Sequence, residues 1–146
     1  LDKIRFHAGD FHDLSMFADA SLDFVVVDAA LHHTDDVPRV LGQVHRVLAP
    51  NGLFLAVNEP GIAPLRLTRA QSPERFGEHE RQHGIIENTF TEQEWRRFFE
   101  SAGFHVRFVP LHHRRQSLKQ KVIHYTPLHW LNGVLFWSKV IVAEKC

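Results

Sequence analysis

The stretch LDFVVVDAALHHTDDVPRVLGQVHRVLAPNGLFLAV, Leu22 to Val57, decides the fold of this chain. It opens with an unbroken apolar run, Phe24 to Val27, of the kind a strand buried on both faces of a parallel sheet requires. Val37, Val40, Leu41, Val44, Val47 and Leu48 then recur at the spacing of one helix face. Thr34 or Asp35 serves as a candidate N-cap, and Pro38 falls near the first turn, where its missing N–H costs nothing. Pro50-Asn51-Gly52 stops the helix, and Leu53 to Val57 forms a second buried strand that runs into Asn58, Glu59, Pro60 and Gly61. Strand, helix, strand is a right-handed crossover unit, so the expected class is α/β.

Upstream of this unit, Ile4, Phe6 and Ala8 alternate with Arg5 and His7, which predicts a short strand ending at Gly9-Asp10. Downstream, residues 62–88 are polar and irregular, with Arg66, Arg69, Arg75 and Arg81 among acids and histidines, and read as an insertion or flap. Thr91-Glu92-Gln93-Glu94 is a capping box opening a helix whose Trp95, Phe98, Phe99 and Ala102 share one face until Gly103 ends it. His105 to Val109 follows as a strand. The apolar segment at about 126–137 is a short helix or lid, and Val140 to Lys145 a last strand. With no internal repeat or low-complexity linker, residues 1–146 form one domain.

Composition narrows the function classes. Seventeen basic residues balance 17 acidic ones, and 44% hydrophobic with 23% charged residues is ordinary for a globular domain. No electrostatic case for nucleic acid follows. The single cysteine is Cys146, so there is no disulfide framework and no C-x-x-C pair, and a reducing, cytoplasmic setting is expected. Apolar runs are too short to span a bilayer. The chain opens at Leu1 rather than Met and lacks the order of a signal peptide, which leads us to expect sequence upstream.

One string invites a different reading. His79-Glu80-Arg81-Gln82-His83 spells H-E-x-x-H, in which two histidines one helical turn apart hold zinc and the glutamate activates its water. Arg81 occupies an inner position, Gly84 follows the second histidine at once, and the extended form of the motif is absent because Ile86 and Thr89 stand where its later glycine and histidine belong. In a chain with 12 histidines such a pair arises easily by chance, so a zinc hydrolase ranks third among the functional readings and no metal is expected.

Three loops converge at the carboxyl edge of the expected sheet, where open α/β folds bind ligands: Gly9 to Leu14, Asp28 to His33, and Asn58 to Gly61. Here the sequence resembles the central part of class I S-adenosylmethionine-dependent methyltransferases, of the methyltransferase type 11 kind. Gly9-Asp10, Leu22-Asp23-Phe24, Leu31-His32-His33, Arg46-Val47-Leu48 and Pro50-x-Gly52 stand in the family's order and spacing, and Phe90 to Phe104 resembles its helix before the sixth strand. The resemblance covers roughly Ile4 to Val109.

The resemblance implies S-adenosylmethionine as cofactor, S-adenosylhomocysteine as product, and methyl transfer to a small-molecule or glycan acceptor. By it, Asp10 accepts from the adenine amino group with Phe11 beside the base, and Asp28 and Ala29 line the methionine end. His32, His33 and Glu59 face the acceptor, one of the histidines being the base where the acceptor is an ionisable hydroxyl. Bland readings stand beside these: Asp10 as a turn residue, Asp28 as a local acceptor, either histidine as a packing residue, Glu59 as a plain loop acid.

The family's G-x-G-x-G loop has no counterpart, since none of the eight glycines forms even a G-x-G pair. In the family's sheet two further strands separate the one matching Ile4 to Ala8 from the one matching Phe24 to Val27. The expected architecture is therefore a Rossmann-like methyltransferase sheet, incomplete because its first two strands and glycine-rich loop are absent, and belonging to a longer chain. Folded alone, it calls for repaired pairing, by direct contact of those two strands or through a second chain as a homodimer. The alternative is a non-catalytic remnant or interaction module that kept the fold.

Overall fold

The computed structural model describes residues 3–62, 82–110, 127 and 139–146. Four strands form the main sheet: β1 (Leu22–Asp28), β2 (Leu48–Val57), β5 (Phe104–Pro110) and β6 (Lys139–Lys145), in the order β1-β2-β6-β5. β1 and β2 are parallel, with Phe24 opposite Leu53 and Val27 opposite Ala56, and β6 runs antiparallel to both β2 and β5. A second, two-residue parallel pair joins β3 (Gly61–Ile62) to β4 (Phe90–Thr91). The expected strand, helix, strand unit is present.

Its helix α1 (Val37–Val47) buries Val37, Val40, Leu41, Val44 and Val47, five of the six residues of the expected stripe, while the sixth, Leu48, is the first residue of β2. The N-cap is Asp36 rather than Thr34 or Asp35: the Asp36 carboxylate accepts from the Arg39 N–H at 3.0 Å, while the Thr34 hydroxyl accepts from Asp36 N–H one turn earlier. At the other end the carbonyls of Arg46 and Val47 accept from Ala20 and Ser21 N–H, so the segment entering β1 satisfies groups that a helix end leaves open. Arg46 adds a staple: its guanidinium donates to the carbonyls of Leu14 and Phe17 and to Asp19.

Helix α2 (Glu92–Ser101) starts at the capping box, with Thr91 and Glu94 bonded reciprocally, and ends where Gly103 takes φ +88. A side chain at Gly103 would also stand 2.9 Å from His45 Nε2, so glycine is required there twice over. Trp95 and Phe99 are fully buried against Phe54, Phe104, Val106, Ile141 and Ala143, and Phe90 and Phe98 close the cluster edge-on. Burying each of these large side chains stabilises by about 1.5–3 kcal/mol. Trp95 Nε1 also donates to the Pro60 carbonyl, tying the core to the loop after β2.

Three expectations are corrected. Ile4 to Ala8 is not a strand: Ile4 and Phe6 are 57% and 92% exposed, and no strand among the described residues lies alongside to complete a ladder, without which alternation alone does not hold an extended segment. For the same reason the direct pairing of that segment with β1 is not formed. Nor is β1 buried on both faces. Val25 and Val27 turn towards the core, whereas Phe24 and Val26 are half exposed and β1 ends the sheet among the described strands. Of the flap at 62–88, only residues 62 and 82–88 are described; of the lid at 126–137, only Pro127; and His79 to Arg81 of the H-E-x-x-H string lie outside the described residues. No helix among the described residues is long and apolar enough to cross a membrane.

Candidate functional site

At the carboxyl ends of β1 and β2 the two chains turn in the same unusual way. Ala29 and Asn58, each the first residue past its strand, hold φ +48 and +56, a left-handed conformation that costs a non-glycine residue about 1–2 kcal/mol. Asn58 tolerates it better, and its amide donates to Asp28 Oδ1 at 2.7 Å, while Ala29 N–H donates to the Val57 carbonyl. Two strained turns are thereby locked side by side, and strain of this kind concentrates at functional sites.

The turn at Ala29 throws the chain into a short 3-10 turn, Leu31–His33, which has no cap of its own. Glu59 supplies one. Its carboxylate, 3% exposed, accepts from the backbone N–H groups of Ala30, Leu31 and His32 at 3.0–3.1 Å and from His32 Nδ1 at 2.7 Å. A buried carboxylate requires such a set of donors. The sequence places Glu59 on the acceptor side; in the structure it lies beneath the histidine pair with both oxygens engaged. Because a carboxylate only accepts, His32 Nδ1 is the donor in this bond and Nε2 is the ring nitrogen left facing outward.

His32 is buried and His33 is 41% exposed at its side chain, their rings 4.0 Å apart. A third segment closes over them. Asn88 N–H donates to the His32 carbonyl and its amide to the Thr34 carbonyl, which brings Glu87 to 3.5 Å from His32 Nε2 and 3.1 Å from His33 Nδ1. His33 Nδ1 donates to the Ile86 carbonyl at 2.7 Å. Donor atoms of His32, His33 and Glu87 all lie within 4.8 Å of one another.

The loop bearing Asp10 reaches the same place by a chain of hydrogen bonds. Asp10 Oδ1 accepts from the N–H of His12 at 2.8 Å and from its Nδ1 at 2.7 Å, and His12 Nε2 meets the Thr34 hydroxyl at 2.5 Å. These bonds, the backbone one first and the ring one second, hold the Asp10 carboxyl below the ordinary carboxylate value. Phe11, half-buried, stacks on the His12 ring at 4.9 Å and packs against the core. Thr34 is fully buried, so the Asp10–His12–Thr34 chain is a strut and not a nucleophile.

The structure thus brings Asp10, Phe11, Asp28, Ala29, His32, His33 and Glu59 to one edge of the sheet. It adds three residues that the sequence did not single out, His12, Glu87 and Asn88, and a fourth, Thr34, that was read only as a candidate N-cap. Asn88 and Glu87 sit at the end of a stretch read as irregular, and the one available signal is an acid and an amide just before the capping-box helix.

A family model described as a methyltransferase domain matches residues 1–56. Over 38 residues the chain is 47% identical to a mitochondrial arginine-hydroxylase of Dictyostelium discoideum, covering 26% of this chain and 9% of that protein. Over 53 residues it is 32% identical to a demethylmenaquinone methyltransferase of Leptospira interrogans, covering 36% of this chain and 21% of that protein. The matches therefore span about a fifth or less of these curated relatives. Among solved structures, a putative methyltransferase in complex with a methyltransferase activator from Haloferax volcanii superposes with a TM-score of 0.64 at 19% identity, over 94% of this chain and 59% of that one. The YcgJ protein of Bacillus subtilis gives 0.60 at 22% identity, over 97% and 70%. The family model thus matches the part of the chain that holds the strand, helix, strand unit, and the likeness to the solved structures shows a Rossmann-like α/β fold of the kind methyltransferases have.

Proposed function

We infer that this chain serves S-adenosylmethionine-dependent methyl transfer to a small-molecule or glycan acceptor, as part of a longer protein. The observation that carries this reading is the convergence of the loops after β1 and β2 with the Asp10 loop at one sheet edge, locked by Glu59, Asn58 and Thr34. The donor set suits the cofactor's nucleoside: Asp10 is an exposed carboxylate, acceptor-only towards an exocyclic amine, with the Phe11 ring beside it. Bound S-adenosylmethionine supplies an activated methyl group on a sulfonium. The chain's own residues orient the acceptor, an effect that in well-placed systems reaches about 7–11 kcal/mol.

Asp28 and Ala29, exposed at the end of β1, would line the cofactor's methionine end. Of the two histidines His33 is the better base, since it is open to solvent and its Nε2 carries the lone pair when Nδ1 donates to Ile86. His32, held by Glu59, positions it. The edge of β1, unpaired among the described residues, and its exposed Phe24 and Val26 support further strands from the same protein or from a second copy.

Calorimetric titration of the chain with S-adenosylhomocysteine, repeated with Asp10→Ala, tests the reading. Saturable binding that weakens in the variant supports it; no binding by folded chain and by its extended form would sink it. A second reading, a remnant that kept the fold without catalysis, is favoured by the lack of any G-x-G among the 146 residues. A glycine-rich loop in the upstream coding sequence would exclude it.

A further inference from the structure

The cluster of His32, His33 and Glu87 has a property that methyl transfer does not use. Glu59 accepts from His32 Nδ1, which leaves Nε2 as the ring atom turned towards Glu87. It faces Glu87 Oε1 at 3.5 Å, where the two side chains are 7% and 12% exposed. His33 Nδ1 stands 3.1 Å from the other carboxylate oxygen.

The separations of 3.5 and 3.1 Å are close to those of a coordination sphere, and the three donor groups lie within 4.8 Å of one another. Ligands about 2.0–2.1 Å from a tetrahedral ion stand about 3.3–3.5 Å from one another. Two imidazoles and one carboxylate form a donor set that suits zinc or cobalt and not the all-oxygen spheres of magnesium or calcium. The buried carboxylate behind His32 is the outer partner that metal-bound histidines characteristically have.

We propose that His32 Nε2, a ring nitrogen of His33 and the Glu87 carboxylate form a divalent transition-metal site at the carboxyl edge of the sheet. To ligate through Nδ1, His33 passes its proton to Nε2 and releases the Ile86 carbonyl, with no net change in protonation. Three protein ligands leave a fourth position open. The site departs from the expectation of a metal-free domain and is distinct from the H-E-x-x-H string, to which it contributes no residue.

Cobalt(II) is the probe. The 146-residue chain, free of any histidine tag, is titrated while its visible absorption is followed, with circular dichroism reporting the fold. The expected result is a tetrahedral-type band that saturates at about one ion per chain and is displaced by zinc. Glu87→Gln and His33→Ala should each weaken binding by about tenfold or more with the fold intact. His83→Ala should leave it unchanged. Absence of the band in folded chain, binding indifferent to Glu87→Gln and His33→Ala, or loss with His83→Ala would overturn the proposal. None of these outcomes depends on S-adenosylhomocysteine binding, so the two readings fail separately.

Discussion

The two faces of the sheet are built from similar residues and treated differently. On one, Phe54, Ala56, Ile141, Ala143, Phe104 and Val106 are buried beneath α1 and α2. On the other, Phe24 and Val26 are about half exposed, and Leu53 and Val109 are 37% and 44% exposed. Apolar patterning therefore says which residues a strand is prepared to bury, and the elements packed on it decide which are buried. A domain with one dry face and one apolar wet face is stable through the first and open to association through the second.

Replacing the same residue type on the two faces gives the largest test. Phe54→Ala should cost about 3–5 kcal/mol in urea unfolding, and Phe24→Ala about 1 kcal/mol or less. Comparable losses would mean that the outer face is covered in solution, and sedimentation would then show whether a second copy covers it.

At the carboxyl edge the same contrast separates Glu59 from Asp28. Glu59→Ala leaves two buried backbone donors, one part-buried donor and the His32 ring without their acceptor and should cost about 2–3 kcal/mol, whereas Asp28→Ala, at an exposed position, should cost about 0.5 kcal/mol. Next comes Thr91→Ala, which removes the capping box of the helix that carries Trp95, at about 1 kcal/mol in thermal unfolding. Ala29→Gly works in the other direction. Relief of the left-handed turn should raise stability by about 0.5–1 kcal/mol, and a loss instead would show that the Ala29 methyl makes a contact worth more than the strain.

The smallest effect is one of pH. Burial first and Lys145 second hold His45 below its ordinary value of 6.5, so the fold favours the neutral ring. Its contribution is complete above that value and is lost as pH falls through the lower folded-state value. Between about pH 7 and about pH 5 the native chain should lose slightly more melting temperature than His45→Gln. A steeper loss in the variant would refute the assignment.

Much of this was legible in the sequence because the signals were local. The apolar runs of β1 and β2, the five-residue stripe of α1 and the Thr91–Glu94 capping box each declare themselves within a few turns of chain. Ile4 to Ala8 misled because alternation describes a strand's faces and not its hydrogen-bond partners. His32, His33 and Glu59 stood out as polar residues at strand ends. Glu87 and Asn88 did not, because their roles depend on partners some 54 residues away, across a stretch with no pattern of its own. His12 escaped for a similar reason: its Thr34 partner lies 22 residues on, across the whole of β1.

The short β3–β4 pair and the Asn88 bonds have a consequence for how such a domain diversifies. They clasp the chain at Gly61–Ile62 on one side and at Asn88 to Thr91 on the other, independently of what is strung between. Once a neck of that kind is fastened, doubling the intervening length costs only about 0.6 kcal/mol of closure entropy. The span between the clasps, up to but not including Ile86 and Glu87, is thus a cassette, exchangeable for one of another size or composition while the scaffold that receives it stays fixed.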